Sequence, residues 1–253
     1  MRYLILLLCA ALLPAAAVCA EEAYTTKYSC FDTDGRERWA ASADIVRAPG
    51  EKRSFYILTS EGAGVLSGFK GKVSWAGRLE FESTEDMVRP VSMENRVFND
   101  KLEPIFVEKQ EFDHKAGKVR YTGIDLRWNR TRKAEYNFKG DIANRLILGL
   151  YIQKFLERGG KERSLVFLSG EPRLYAVKLK MMGKEQVVIN GVKKEAFRLC
   201  LDPELGILDF LKVVIPKAYV WHLAAPKFEW LKYRGLENNL GSPVVEIISG
   251  DIR

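Results

Sequence analysis

Two histidines are the residues of this sequence best suited to acid–base chemistry, and they stand far apart in the chain. His114 lies in Phe112–Gly117, whose composition is typical of a turn, and His222 alternates with Trp221 on a predicted strand. A catalytic triad needs a nucleophile and an acid folded against one of them. Gly64-Val65-Leu66-Ser67-Gly68 has the wrong spacing for a nucleophile elbow. The sequence therefore predicts no catalytic residue, and an enzyme is the least favoured class.

Acidic residues offer two further chemistries, calcium binding and glycoside hydrolysis. Asp32–Glu37 resembles a fragment of a calcium loop but is shorter than the roughly twelve residues that such a loop needs, so it predicts a turn. Two carboxylate pairs, Glu80 with Glu82 and Glu108 with Glu111, could act in glycoside hydrolysis. The first pair lies on the polar face of an alternating strand, which is typical of solvated surface. No paired ligand spacing exists, so no metal site and no cofactor is predicted.

Aromatic residues are the remaining candidates for ligand contact. The chain holds five tryptophans and ten tyrosines, most of which we attribute to the fit of aromatic rings on pleated sheets. They are densest between residues 219 and 233. From this stretch we retain Trp221, Trp230 and Tyr233 as candidate ligand-binding residues.

The first twenty residues differ from the rest. Arg2 is their one charge, Tyr3–Leu13 is apolar, and Val18-Cys19-Ala20 resembles a small-residue cleavage site. This pattern predicts a signal peptide at residues 1–20 and a single mature domain at residues 21–253, in the periplasm or outside the cell. Two alternatives are a retained anchor helix and a lipoprotein anchored through Cys19, and both are less favoured.

Two cysteines, Cys30 and Cys200, fall in the predicted mature domain. An oxidising compartment favours a disulfide between an even pair of cysteines. Two buried free thiols are an equally favoured interpretation, because a sequence cannot place two Cα atoms within bonding distance.

The net charge of the chain is +7. Such an excess could indicate anionic partners such as lipid head groups, lipopolysaccharide or nucleic acid. Interspersed charges that keep the protein soluble are the favoured interpretation, because no dense basic block occurs. The partners predicted are a lipid, a lipoprotein or another envelope component, with no nucleic acid and no membrane span after signal removal.

Alternation of apolar and polar residues dominates the rest of the chain. In Lys72–Glu82 it places Val73, Trp75, Leu79 and Phe81 on one face, which predicts a half-buried strand. Further runs with strand patterns are 55–59, 91–97, 119–121, 174–181, 197–201, 219–223, 228–233 and 244–248.

Short turn signals separate these runs. Asn190-Gly191 is the preferred pair for a two-residue hairpin turn, and Asp34-Gly35, Ala116-Gly117 and Met182-Gly183 are weaker versions of it. Consecutive strands joined by short turns predict an antiparallel meander.

Two segments break the strand pattern. Asp141 can cap a helix from Ile142 to about Arg158 that ends at Gly159-Gly160 and is apolar nearly all round, which predicts burial. A shorter helix is predicted from Asp202-Pro203 to about Lys212. The predicted fold class is mainly β (α+β), a curved antiparallel sheet or half-barrel with one long and one short helix on its concave side.

The carboxy-terminal half carries a resemblance. The strand–Asn190-Gly191–strand unit, Pro216, the Tyr219-x-Trp221 strand and Lys232-Tyr233-Arg234-Gly235 are similar to a family of exported bacterial proteins of unknown function. That family resembles the LolA/LolB lipoprotein-carrier architecture, and the similarity covers roughly residues 165–248. The resemblance implies a periplasmic setting and handling of apolar ligands, with no catalytic residues to transfer.

Two functions from different classes follow. The first is a periplasmic, non-enzymatic protein that binds a hydrophobic or amphipathic envelope component in an apolar pocket. The alternative is a structural or interaction protein of the envelope whose own helix fills its core. An open apolar pocket would favour the first, and a packed concavity with an exposed apolar edge would favour the second.

Overall fold

Fifteen strands form one continuous sheet in the computed structural model of this chain. The structure describes residues 24–49, 54–169, 173–204, 216–237 and 241–250. The strands are β1 (Tyr24–Asp32), β2 (Glu37–Arg47), β3 (Phe55–Gly64), β4 (Val73–Ser83), β5 (Val88–Phe98), β6 (Pro104–Asp113), β7 (Lys118–Asp125), β8 (Arg130–Asn137), β9 (Ile142–Asn144), β10 (Glu162–Leu168), β11 (Leu174–Ile189), β12 (Val192–Pro203), β13 (Ala218–Leu223), β14 (Trp230–Leu236) and β15 (Val244–Ser249). Within these ranges there is one α-helix, α1 (Leu148–Glu157).

The sheet consists of two antiparallel meanders. Strands β1 to β8 form the first and β10 to β15 the second, and pairing of β1 with β15 joins them. The turn between β11 and β12 has positive φ at both Asn190 (50°) and Gly191 (79°), which confirms the predicted hairpin. Met182-Gly183 instead lies at a register shift inside β11, so the turn predicted there is wrong.

Alternation reports the inner and outer faces of the strands correctly. In β4, Val73, Leu79 and Phe81 are buried, while Ala76 and Arg78 between them are exposed. This face contributes to a single large core with inner-face residues of both meanders.

The predicted α+β fold class is wrong, because the described chain is nearly all strand. Residues 142–144 form the short strand β9, parallel to β10, and α1 begins six residues later than predicted. The buried Asn144 explains the difference. Its side-chain oxygen accepts hydrogen bonds from the backbone N–H groups of Leu146 and Ile147, which turns the chain between β9 and α1.

The second predicted helix is also corrected at its start. Asp202 and Pro203 are the last residues of β12 rather than a helix cap. The rest of that prediction, at residues 205–212, lies outside the described residues, as does the predicted signal peptide at 1–20. No helix among the described residues combines the length and the apolar character needed to cross a membrane.

The helix α1 is buried, as its composition predicts. Eight of its ten residues are buried, and the six apolar side chains among them other than glycine pack in the same core as both meanders. The helix ends at Glu157, and Gly159, with a φ of 65° and an N–H bond to the Leu156 carbonyl, forms the expected glycine stop just beyond it. A segment of the same chain therefore packs against the inner side of the sheet.

The sheet curves until its two ends meet. Phe112 of β6 and Val119 of β7 share a second core cluster with Ile142 of β9 and Leu168 of β10, from the other end of the strand order. Arg145, just after β9, donates to the buried Glu108 of β6 over 2.9 Å. Asn144 donates to the Gln110 side chain over 2.9 Å.

Candidate functional site

The three aromatic candidates do not form one site. Trp230 and Tyr233 are 1% and 0% exposed and belong to the core around α1. Trp221 belongs to a separate cluster with Leu231, on the opposite face of the sheet. Its indole N–H donates to the Glu185 carboxylate over 2.7 Å. These contacts hold the sheet together and leave no shared ligand surface among the three rings.

The histidines occupy separate structural positions. His114 lies in the β6–β7 turn, with Nε2 2.6 Å from the Pro90 carbonyl oxygen. His222 of β13 is fully buried, and its Nδ1 lies 2.7 Å from the Phe228 carbonyl oxygen. Burial lowers the pKa of His222 to about 4, so its ring is neutral near pH 7. Its Nε2 has no hydrogen-bond partner among the described residues.

Cys30 and Cys200 are both free and buried. Cys30 lies on β1 and Cys200 on β12, so four strand spacings separate them, roughly 19 Å along the sheet. Burial raises the pKa of each thiol above its usual value, most strongly for Cys30. Both side chains act as small apolar core residues in this structure.

The acidic candidates also have structural partners. The Asp32 carboxylate accepts hydrogen bonds from the backbone N–H groups of Asp34 and Arg36, which confirms a turn. Glu108 is buried on the inner face whereas Glu111 is exposed, so these carboxylates do not face a common substrate. No cluster of metal-binding side chains occurs among the residues that the structure describes.

A depression of about 460 Å³ lies on the outer face over β2 to β5. Part of its charged lining is paired, since Glu94 contacts both Arg96 and Lys109. These two contacts, with Lys109 the stronger, lower the pKa of Glu94. The depression is solvent-exposed surface with several ion pairs, and each such pair contributes little to the stability of the fold.

The hairpin turns at one end of β3 to β8 bring exposed apolar and basic side chains together. We define the hairpin-end surface as residues 65–72, 99–103 and 125–133. It carries four exposed large apolar side chains, namely Val65, Leu102, Leu126 and Trp128, with exposed fractions of 38%, 73%, 46% and 68%. It also carries seven exposed basic residues, which are Lys70, Lys72, Lys101, Arg127, Arg130, Arg132 and Lys133. Three acidic residues, Asp100, Glu103 and Asp125, accompany them.

Leu102 points outward from a turn that is ordered by hydrogen bonds. Its φ is 61°, a left-handed conformation that costs a leucine about 1–2 kcal/mol. The Asn99 side-chain oxygen accepts the backbone N–H groups of Lys101 and Glu103, at 3.0 and 2.9 Å, which fixes the turn on both sides of Leu102. An exposed leucine on strained backbone adds nothing to the core, which points to a use outside the fold.

Trp128 occupies a similarly ordered turn. Both oxygens of Asp125 pair with the Arg127 guanidinium, at 3.0 and 2.7 Å, and this contact lowers the pKa of Asp125. The Arg127 guanidinium also lies over the Phe69 ring, 4.7 Å from its centroid. Arg127 thereby joins the turn that carries Trp128 to the loop at 65–72.

A buried carboxylate anchors that loop from the other side. Glu237, 2% exposed at the end of β14, accepts hydrogen bonds from the Arg38 guanidinium, the Trp39 indole over 2.9 Å, and both the backbone N–H and hydroxyl of Ser67. Pairing with Glu237 raises the pKa of Arg38. Ser67, from the segment that superficially resembles a serine motif, is thus a structural residue.

Sequence reasoning missed the hairpin-end surface. The available signal is the run Leu126–Lys133, in which Leu126 and Trp128 are interleaved with four basic residues. Its chemistry is apolar and cationic. Such a surface is suited to binding an anionic, partly apolar partner.

Comparisons with known proteins add little. No family model matches the chain, and no curated protein matches it. Among solved structures, the chain is similar to a crystal structure described as a "putative exported protein with YmcC-like fold" from Bacteroides fragilis. The two are 8% identical, over 90% of this chain and 94% of the other, with a TM-score of 0.30. At this level the similarity carries no argument about either chain's function, and the resemblance to the LolA/LolB architecture stays a prediction.

Proposed function

We propose that this chain is an exported, non-enzymatic interaction protein of the bacterial envelope, with a self-filled core and a contact surface at its hairpin end. The observation that carries the proposal is the position of α1. Its apolar residues pack against the inner side of the sheet, where a carrier of apolar ligands would need an open cavity. The proposed export depends on the pattern of residues 1–20.

The hairpin-end surface supports the location of the contact. Leu102 and Trp128 are the two most exposed large apolar residues of the described chain. Surface positions with this exposure are often single and without consequence. Here they lie at the same end of neighbouring hairpins, on turns ordered by specific hydrogen bonds, and beside an excess of basic residues.

Sedimentation with isolated envelope membranes tests the proposal. The unsubstituted protein should co-sediment, and the double variant Leu102→Ser/Trp128→Ala should stay in the supernatant while its melting temperature is unchanged. The matched control is Val188→Ser/Val192→Ser, at 59% and 53% exposed positions beside the β11–β12 turn, and it should sediment like the parent.

A second measurement separates this function from ligand carriage. An apolar fluorescent probe, N-phenyl-1-naphthylamine, should show no stoichiometric uptake by the folded protein. Saturable one-to-one uptake, together with unchanged sedimentation of the Leu102→Ser/Trp128→Ala variant, would replace the proposal with an internal ligand site.

A further inference from the structure

We infer that the hairpin-end surface docks on an anionic lipid bilayer, with Trp128 and Leu102 entering the interface between head groups and acyl chains. This inference rests on the proposed function and names the partner of the same surface. It follows from the chemistry of the side chains, from the shape of the turns and from the sign of the charge.

The side chains match those that lipid interfaces favour. Tryptophan is enriched at membrane–water interfaces, because its ring has an apolar body and a polar N–H. Leucine at a protruding turn adds apolar area that head groups can cover. Trp128 and Leu102 lie at the ends of the β7–β8 and β5–β6 hairpins, which open at the same end of the sheet.

The charges select an anionic surface. Seven exposed basic residues outnumber three acidic ones, and the pairing of Asp125 with Arg127 leaves six basic residues against two acidic ones. Basic residues near an anionic membrane contribute about 1 kcal/mol each, which is a factor of about five in affinity. Arg130, Arg132 and Lys133 extend this charge along the edge strand β8.

The shape of the surface favours lipid over a folded protein. The most exposed apolar side chains stand on two separate turns, so a protein partner would need a fitted pocket for each one. A head-group layer adapts its shape to separate protrusions and needs no matching pocket. The turns themselves are ordered, so little conformational entropy is lost when they insert.

Fluorescence gives a direct readout. Trp128 is the one exposed tryptophan of five, since Trp39, Trp221 and Trp230 are buried and Trp75 is half-buried. Titration with phosphatidylcholine vesicles that contain phosphatidylglycerol should shift the emission to the blue, and phosphatidylcholine alone should not. Added salt should weaken the binding, because it screens exposed charges.

Variants separate the two contributions, with vesicle sedimentation as the measure. Arg130→Gln/Arg132→Gln should weaken binding to the anionic vesicles about 25-fold, as two independent factors of about five. Leu102→Ser/Trp128→Ala removes the two side chains proposed to insert, so it should also weaken sedimentation with the anionic vesicles. Lys193→Gln/Lys194→Gln, beside the β11–β12 turn, is the charge-matched control and should bind like the parent.

Three outcomes would overturn the inference. Unchanged vesicle binding by Leu102→Ser/Trp128→Ala would show that another surface binds lipid. Binding to inorganic polyphosphate as tight as that to vesicles, without a change in Trp128 emission, would reduce the site to charge attraction alone. Sedimentation with envelope membranes but not with anionic vesicles would identify a protein partner, and in that case the proposed function survives while the lipid inference fails.

Discussion

The interior around α1 and the hairpin-end surface use the same apolar residue types for opposite purposes. Leu146 is 4% exposed and packs in the core, where a Cβ added at Gly77 on β4 would lie 3.6 Å from its side chain. Leu102 is 73% exposed and its backbone is strained. Burial therefore identifies the leucines that stabilise the fold. Exposure combined with an ordered, strained turn identifies those that serve a contact elsewhere.

The same substitution at both leucines tests this comparison most strongly. Leu146→Asp removes a buried side chain and buries an unpaired carboxylate, so the free energy of unfolding should fall by about 4 kcal/mol or more. Leu102→Asp should change it by less than about 0.5 kcal/mol, since exposed positions tolerate polar residues. Urea unfolding measures both, and equal effects would break the distinction between the two regions.

The buried Glu237 links the two regions, so its removal should affect both. Glu237→Ala leaves the Arg38 guanidinium and the Trp39 indole N–H without their acceptor, and should lower the free energy of unfolding by about 3 kcal/mol. Amide hydrogen exchange should also rise in residues 65–72, because Ser67 loses its anchor. A Glu237→Ala protein with parental stability and exchange would show that the loop is held by other contacts.

The interior should also respond to acid through His222. Its folded-state pKa of about 4 lies below the usual 6.5, so the unfolded chain binds a proton at a higher pH than the folded chain does. Stability is fully present above pH 6.5, falls as the pH drops towards 4, and loses about 3 kcal/mol over this interval. Thermal unfolding across this range measures the slope. In His222→Gln the pH dependence of stability between pH 4 and 6.5 should decrease. An unchanged pH dependence would show that other groups cause it.

The smallest expected effect lies at the hairpin end and has the opposite sign. Leu102→Gly relieves the left-handed strain and should raise the free energy of unfolding by about 0.5 kcal/mol, while weakening vesicle binding. Leu126→Gly is the matched control, since Leu126 has no positive φ and its N–H bonds to the Ile105 carbonyl. Leu126→Gly should slightly lower the free energy of unfolding. If Leu102→Gly and Leu126→Gly raised it equally, strain at Leu102 would not be the cause.

Much of the sheet could be predicted from the sequence because its signals are local. Alternation over Lys72–Glu82 reports the two faces of β4, and Asn190-Gly191 reports the β11–β12 turn. The boundary between β9 and α1 is determined by an interaction with a distant part of the chain. It depends on Asn144, whose side chain bonds to Gln110 on a strand 34 positions earlier, so an apolar run from Ile142 onward looks like uninterrupted helix.

The candidate site was less predictable for a related reason. Charge and apolarity in the run Leu126–Lys133 are visible in the sequence, but its exposure is decided by which turns lie at the same end of the sheet. The anchor of the neighbouring loop is equally remote, since Glu237 and Arg38 are 199 positions apart. Trp230 and Tyr233 were predicted to contact a ligand but are buried in the core, because a sequence rich in aromatic residues does not show whether their rings are exposed.

Pairing of β1 with β15 has a consequence for the order of folding. The first described strand completes its hydrogen bonding with the last one, while every other antiparallel ladder joins strands that are consecutive in the chain. Local hairpins close early and cheaply, whereas this ladder must close a loop of nearly the whole chain, which slows folding. During synthesis or translocation, one edge of β1 therefore stays unpaired until β15 has emerged. Pulsed hydrogen exchange should find the amides of the β1–β15 ladder protected last, after both meanders have formed.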